Sequence, residues 1–315
     1  MIATNTIPTH GFGAFLRRLV KSKAFLFMLL PAVVYTLIFS YFPMSGIILA
    51  FKKYTYAGGL FGSKWNGLNN FTFFFKSGKA ALVTRNTVLY NILFIAFNTV
   101  LQISVAVLLT ELKGKYFKKI TQSLMFLPYF ISWVVVSVIA FNILSYDVGV
   151  INTIVKLTGG TKINFYSQGR MWPIILTLFG AWKGVGYGSI LYLAAIMGVD
   201  TEIYEAAVID GCNVFQRIFK VTIPLIMPTI VILLLLSIGG IFRGNFDMFY
   251  NMVGTNGLLY NYTDVIDTFT FRALMTNSDF GMSAASGLYQ SVLCFITILF
   301  SNFLVKRYNE DYALF

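Results

Sequence analysis

The sequence predicts an all-α polytopic membrane protein with six transmembrane helices. Of its 315 residues, 57% are hydrophobic and only 11% are charged, against about 25% charged in soluble domains. A soluble core of this length could not hide so much apolar surface. Six runs almost free of charge each exceed the about 20 helical residues that cross a bilayer. They are 24–51 (with Pro31 and Pro43 inside), 86–110, 120–146 (with Pro128), 171–199 (interrupted only by Lys183), 221–242 and 280–305. An even number of crossings puts both termini on one side. The first run is too long for a signal-peptide core of about 7–15 residues, so it reads as a retained helix.

Composition also excludes function classes. The net charge of +12 does not point to nucleic acid, because no basic stretch is long or interleaved with base-stacking aromatics. Lysines and arginines flanking spans face anionic lipid headgroups instead. Cys212 lies in a polar connector and Cys294 in a span, so no disulfide is expected, and His10 is the sole histidine. A metal site and histidine-based catalysis are therefore not expected.

Basic residues set the orientation. With the N-terminus inside, the inner segments (1–23, 111–119, 200–220, 306–315) hold 12 Lys and Arg in 63 residues, and the outer ones hold 11 in 95. The short connector LKGKYFKK (112–119) argues for the same side, whereas loop 52–85, with six basic residues and no acid, opposes it. That loop, with its stretch GGLFGSKWNGLNNFTFFF, is expected to run along the outer membrane surface as turns and an interfacial helix. In 147–170, VGVINTIVKLTGG predicts a short amphipathic helix closed by Gly159 and Gly160. The Asn- and Asp-rich stretch 243–279, with TNG (255–257) and NYTD (261–264), reads as a loop with turn signals.

Between the fourth and fifth runs, EAAVIDGCNVFQRIFKVTIP (205–224) interrupts the apolar pattern. Asp200 or Thr201 can cap a helix whose first turns hold Glu202 and Glu205, where the dipole favours acids. Ala206 and Ala207 keep it thin, while Ile203, Ile209 and Asp210 give it mixed faces. Gly211 permits the left-handed backbone that ends such a helix. NVFQRIFKV then resumes helical spacing, and Pro224 and Pro228 fall in the early turns of the fifth span, where a missing N–H costs least. Two readings fit these residues: an interfacial connector, or a compact knob shaped for a partner's cleft.

Here the residues resemble a known family. Glu205-Ala206-Ala207, then Gly211 after three residues, then Val221, Ile223 and Pro224, is similar to the EAA motif of permease subunits of bacterial ABC importers, with Val221 and Ile223 as conservative departures at its two aliphatic positions. AWKGVGYGSILYLAAIMGVDTEIYEAAVIDG (181–211) and GGIFRGNFDMFYNMVG (239–254) resemble the sugar-importer branch. LPAVVYTLIFSYFPMSGIILAFKKY (30–54) and WNGLNNF (65–71) resemble its subgroup for oligosaccharides and complex glycans.

The resemblance implies a type I ABC importer permease fold in a bacterial cell membrane, with both termini cytoplasmic. Residues 1–80 would hold the N-terminal segment, first helix and outer loop; 81–305 the ABC transmembrane type-1 domain; and 306–315 a cytoplasmic tail. Segment 200–213 would be the coupling helix, docking in a groove of a cytoplasmic ATPase. Glu205 would meet polar groups there and Gly211 would set the turn, with Ala206, Ala207, Asp210 and Pro224 completing the coupling segment. The implied partners are a second homologous permease, two ABC ATPase subunits and an extracytoplasmic solute-binding protein. No cofactor belongs to this chain, because ATP and Mg would sit on the ATPase. In keeping with this, no G-x-x-x-x-G-K-[ST] phosphate loop occurs in the sequence, and the chain is not expected to be an enzyme.

Lys183 is the sharpest residue within a span, since a charge there costs at least about 2.5–3.5 kcal/mol and usually faces a cavity or partner. If its helix starts near 180, it is merely interfacial. Trp182 offers a face for a sugar ring, and Tyr187 and Tyr192 offer hydroxyls; each also fits ordinary packing. The glycines of KGVGYGS (183–189) fit close helix packing or an irregular backbone beside a substrate path. The basic outer loop and Lys183 together favour acidic oligosaccharides such as uronate fragments, although the resembling subgroup also carries neutral glycans. An ion-gradient-driven secondary transporter is the alternative; it predicts acids inside the spans, and the six runs contain none. An intramembrane enzyme lacks a His, Asp or Cys cluster.

Overall fold

The computed structural model describes residues 22–112 and 114–308. The expected N-terminal segment, His10 and the end of the tail at 309–315 lie outside them. Helix α1, Lys23–Thr36, continues through a π turn (Leu37–Tyr41) and 3-10 turns to Phe51. The chain then forms a small antiparallel ladder, β1 (Lys52–Lys53) with β2 (Lys64–Trp65). Helix α2 is Asn69–Lys76, and α3, Lys79–Glu111, is 33 residues long, or about 50 Å. Next come α4 (Lys115–Phe126), α5 (Trp133–Leu144) and α6 (Val150–Leu157). Helix α7, Trp172–Met197, leads to α8, Thr201–Ile209. A short α9 (Val214–Arg217) passes through a π turn into α10 (Met227–Gly239). Helices α11 (Phe246–Val253) and α12 (Ile266–Met275) precede the last, α13 (Phe280–Tyr308).

Among the described residues, four helices are long and apolar enough to cross a membrane by length and composition, or six if each of two bent pairs counts as one span. The predicted third and fifth spans are those pairs. The third bends by 96° between α4 and α5, and the fifth by 62° between residues 225 and 227. The first break follows from Pro128, which has no N–H to donate, and from Ser132, whose hydroxyl caps α5 by accepting the Val135 N–H at 3.4 Å. The second span begins at 79 rather than 86. Arg85 is absorbed into its second turn, where it donates to the Asn86 amide oxygen and the Asn261 carbonyl.

The stretch 243–279 corrects the expectation of a loop, because it is largely helical. Its polar residues act as caps instead of breaking helices: Asn245 accepts the Met248 N–H and Asn256 the Leu258 N–H. Asp267 binds this stretch to the spans, accepting from the Gly244 N–H and from Gln290 at 2.9 Å. Burial raises the Asp267 carboxyl above its ordinary value, and those two bonds partly offset the rise. The predicted amphipathic helix near 150 is present as α6. It closes at Gly159, φ +79°, with the Gly160 N–H on the Val155 carbonyl. In the loop after the first span, Lys52 is buried, donating to the Phe61 carbonyl at 2.6 Å. Asn70 reaches the carbonyls of Ala50 and Lys52, and Phe74 of α2 is fully buried among Ile266, Ala273 and Met282.

Helices α3 and α7 form the centre. At one end they hold Tyr90, Trp172 and Leu176 against Met248 and Phe249 of α11. At the other they hold Ala106, Leu193 and Ile196 against Ile226 and Ile230. The glycines of 183–189 show why contact is so close. A Cβ on Gly186 would lie 1.9 Å from the Met125 carbonyl oxygen of α4, and one on Gly188 would lie 2.2 Å from the Gln102 side chain of α3. Small residues let helix backbones approach in this way.

Gly186→Ala should therefore destabilise the fold by about 1–3 kcal/mol through overpacking. Gly287→Ala, where an added Cβ meets nothing within 4 Å, should not. Thermal unfolding of the two variants side by side in nanodiscs checks this.

Candidate functional site

Two regions carry the predicted site residues. The first is α8 and the turn that follows. Asp200 caps the helix, its Oδ1 accepting the Glu202 N–H at 3.0 Å. At the other end Gly211 takes φ +78°, and the N–H groups of Gly211 and Cys212 return to the carbonyls of Val208 and Ala207. That pair of bonds is the Schellman closure, which glycine permits at no steric cost. A second cap follows at once. The Asn213 side chain accepts the Gln216 N–H while the Gln216 side chain accepts the Asn213 N–H, at 2.9 and 2.8 Å. The whole segment is thus fixed by its own local bonds.

Most of its side chains face outward, although the Tyr204 hydroxyl is buried. Glu205, Ala206, Asp210 and Pro224 are exposed, Ile209 is 85% exposed, and Ala207 alone in α8 is buried. The knob joins the spans through Arg217, which pairs with Glu111 at the end of α3 at 3.1 Å, and through Ile218 and Ile223, which pack on the cluster of α3, α7 and α10. Pro224 lies between the π turn 218–222 and the 62° bend.

The second region is a cavity of about 220 Å³. It lies between α3 (Phe94, Asn98), the break between α4 and α5 (Tyr129, Trp133), α7 (Gly180, Lys183, Gly184) and the start of α11 (Asn245, Met248). Lys183 holds the break in place. Its Nζ donates to the carbonyl of Tyr129 at 2.6 Å and lies 3.4 Å from that of Pro128. It also sits 5.4 and 5.7 Å from the ring centres of Tyr129 and Trp133, within reach of cation–π attraction. A positive charge at the carbonyl end of a helix is favourable, so the lysine is partly accounted for by this bond, and its ammonium still borders the cavity. The Asn98 amide oxygen is buried without a protein partner, an acceptor available to a hydroxyl.

The predicted residues do not all converge here. Tyr187 stacks on Tyr129 with centroids 4.3 Å apart and planes 8° apart, so it backs the cavity wall. Trp182 turns to a separate apolar hollow with Ile139, Ile143, Leu178 and Phe179. Tyr192 is buried among Ala106, Leu193 and Ile226. Asn98, Tyr129, Trp133 and Asn245 line the cavity without having been singled out from sequence. Asn98 carried a signal as an amide inside an apolar run; the two aromatics did not stand out in a chain with 32 Phe, 18 Tyr and 4 Trp.

With this geometry in view, known proteins can be compared. Residues 102–310 match the family described as binding-protein-dependent transport system inner membrane component. The chain is 34% identical over 306 residues to Protein LplB of Bacillus subtilis, covering 97% of this chain and 96% of that one. It is 34% identical over 294 residues to the polygalacturonan/rhamnogalacturonan transport system permease protein YteP of the same organism, covering 93% and 91%. Its fold is similar to a chain of a bacterial alginate ABC transporter solved in complex with an alginate pentasaccharide-bound periplasmic protein, at TM-score 0.84 and 30% identity, covering 92% of this chain and 96% of that one. On these similarities, this chain belongs to the family of binding-protein-dependent transport system inner membrane components.

Proposed function

We propose that this chain is the permease subunit of an ATP-driven ABC importer that translocates an oligosaccharide, with uronate-containing chains as its preferred cargo. The observation that carries the reading is the rigid, exposed α8 with Glu205 on its surface, standing at one end of a spanning bundle. A cavity with aromatic walls and polar side chains lies part-way along that bundle. Lys183 precedes Met197, the last residue of α7, by 14 residues, about 21 Å of helix. The relative named for polygalacturonan/rhamnogalacturonan transport and the structural neighbour that imports the acidic polysaccharide alginate support an acidic cargo.

In this reading α8 faces the cytoplasm of a bacterial cell, as do both termini. A groove on each of two ATPase subunits grips α8 and its counterpart on a second permease, and an extracytoplasmic solute-binding protein delivers the sugar. ATP and Mg belong to the ATPase, and this chain hydrolyses nothing. Closure of the ATPase dimer draws the coupling segments together. Because α8 is capped at both ends, the displacement passes undiminished to the Arg217–Glu111 pair and to the packed cluster at Ile226 and Ile230. Helices α3 and α7 then rock, and the cavity between them changes the side it opens to. Lys183 supplies a cation and Asn98 and Asn245 supply hydrogen bonds to a chain passing the break.

Glu205→Lys is expected to insert and assemble normally while sugar uptake falls at least about tenfold, a loss of about 1.4 kcal/mol. Immunoblotting of membranes together with labelled-sugar uptake checks it. Lys183→Met is expected to lower the preference for a uronate oligomer over a neutral one of equal length by about tenfold. Competitive uptake of the two oligomers measures this, and a wild-type preference for the neutral one would overturn the acidic assignment.

A further inference from the structure

Helix α11 is a partition. Asn245 and Met248 face the Lys183 cavity, while Phe249, Tyr250 and Val253 line a different hollow of about 290 Å³, bounded by residues 254–264 and α12. It lies at the end of the bundle away from α8, beside the start of α3, where Asn86 donates to the Asp264 carbonyl at 3.0 Å. Its aromatic wall is Tyr250 and Phe271, ring centres 5.0 Å apart, with Phe246 braced against both.

Beneath that wall lies a buried ion pair. Asp264 is 3% exposed. Its Oδ1 accepts the Thr268 hydroxyl at 2.8 Å and its Oδ2 accepts from Arg272. Both carboxylate oxygens are therefore occupied and offer little to a ligand. The Arg272 guanidinium is different. It lies 4.2 Å from the Tyr260 ring centre and its side chain is 25% exposed. One nitrogen is held by Asp264, and the Arg272 side chain itself lines the hollow. An arginine fixed by a carboxylate and a ring is pre-organised to receive a second carboxylate. Burying an ion pair costs desolvation and is weak evidence for stability alone, whereas a binding role accounts for placing it at the wall of a cavity. The volume is at the lower bound of small-molecule sites, which suits a sugar ring and not a long chain. The face of Tyr250, which is 41% exposed, suits the C–H surface of such a ring.

We propose that this hollow binds one uronate residue of the arriving oligosaccharide, its carboxylate on Arg272 and its C–H face on Tyr250, as an arrival subsite separate from the cavity at Lys183. The inference rests on the reading of this chain as a sugar importer whose α8 faces the cytoplasm.

Two methionines report the two cavities separately, because Met275 lines the hollow and Met248 lines the Lys183 cavity. The assembled transporter, methyl-labelled at methionine and held in nanodiscs, is titrated with trigalacturonate and with the neutral trigalactose. The Met275 methyl signal should move with trigalacturonate at least about fivefold more tightly than with trigalactose. Arg272→Lys, which leaves Asp264 a cationic partner, and Tyr250→Ala, which leaves the ion pair intact, should each weaken that response at least about fivefold. A Met275 signal that does not move, that responds equally to both trimers, or that is unchanged in both variants overturns the proposal. Movement at Met248 alone would remove this subsite and keep the importer reading. Movement at Met275 in a transporter that takes up no sugar would keep the subsite and remove that reading.

Discussion

Inside a bilayer no water is available to satisfy backbone groups, so every break in a spanning helix must find its hydrogen bonds within the protein. This constraint organises the structure. The third span turns by 96° at Pro128–Ser132, and its freed Tyr129 carbonyl is met by the Lys183 ammonium while Ser132 caps the helix that resumes. The turn opens a gap that straight helices would have filled, and the cavity lies in that gap. The charge expected to serve a substrate is thus also what permits the cavity to exist.

The same economy governs the rest of the bundle. Where a helix is pressed by a neighbour the sequence supplies glycine, Gly186 against the Met125 backbone and Gly188 against the Gln102 side chain. Where a segment must hold its shape it supplies a cap, as at Asp200, Asn213, Asn245 and Asn256. Packing in lipid gains little from burial between apolar helices, so these contacts and polar links such as Arg217–Glu111 between spans and Asp267–Gln290 between α12 and the last span fix how the helices sit.

Much of this was legible in the sequence. The six apolar runs correspond to four continuous helices and two bent pairs, and Asp200 and Gly211 close α8 as their chemistry required. What remained hidden depended on contacts between distant residues. Arg85 looked like the edge of a span because a charge usually ends one, yet it sits in the second turn of α3 with a carbonyl partner 176 positions away. The asparagines of 243–279 looked like turn formers because the same side chain serves a turn and a helix cap. Trp182 and Lys183 are adjacent in sequence but point about 100° apart on a helix, which is why one lines an apolar hollow and the other a polar cavity. Tyr192 could be located only by the packing of α3 against α7.

The closures around α8 have a mechanical consequence. When a surface segment is ordered only on binding a partner, part of the binding free energy is lost to that ordering. Here the Schellman bonds and the capping box complete that ordering during folding, so a partner that docked there as proposed would spend almost nothing on reshaping the knob. Under the proposed reading a lever that is already stiff would deliver the full length of its stroke, and the displacement arriving at the foot of α3 would be set by whatever grips the knob, with no slack to be taken up first.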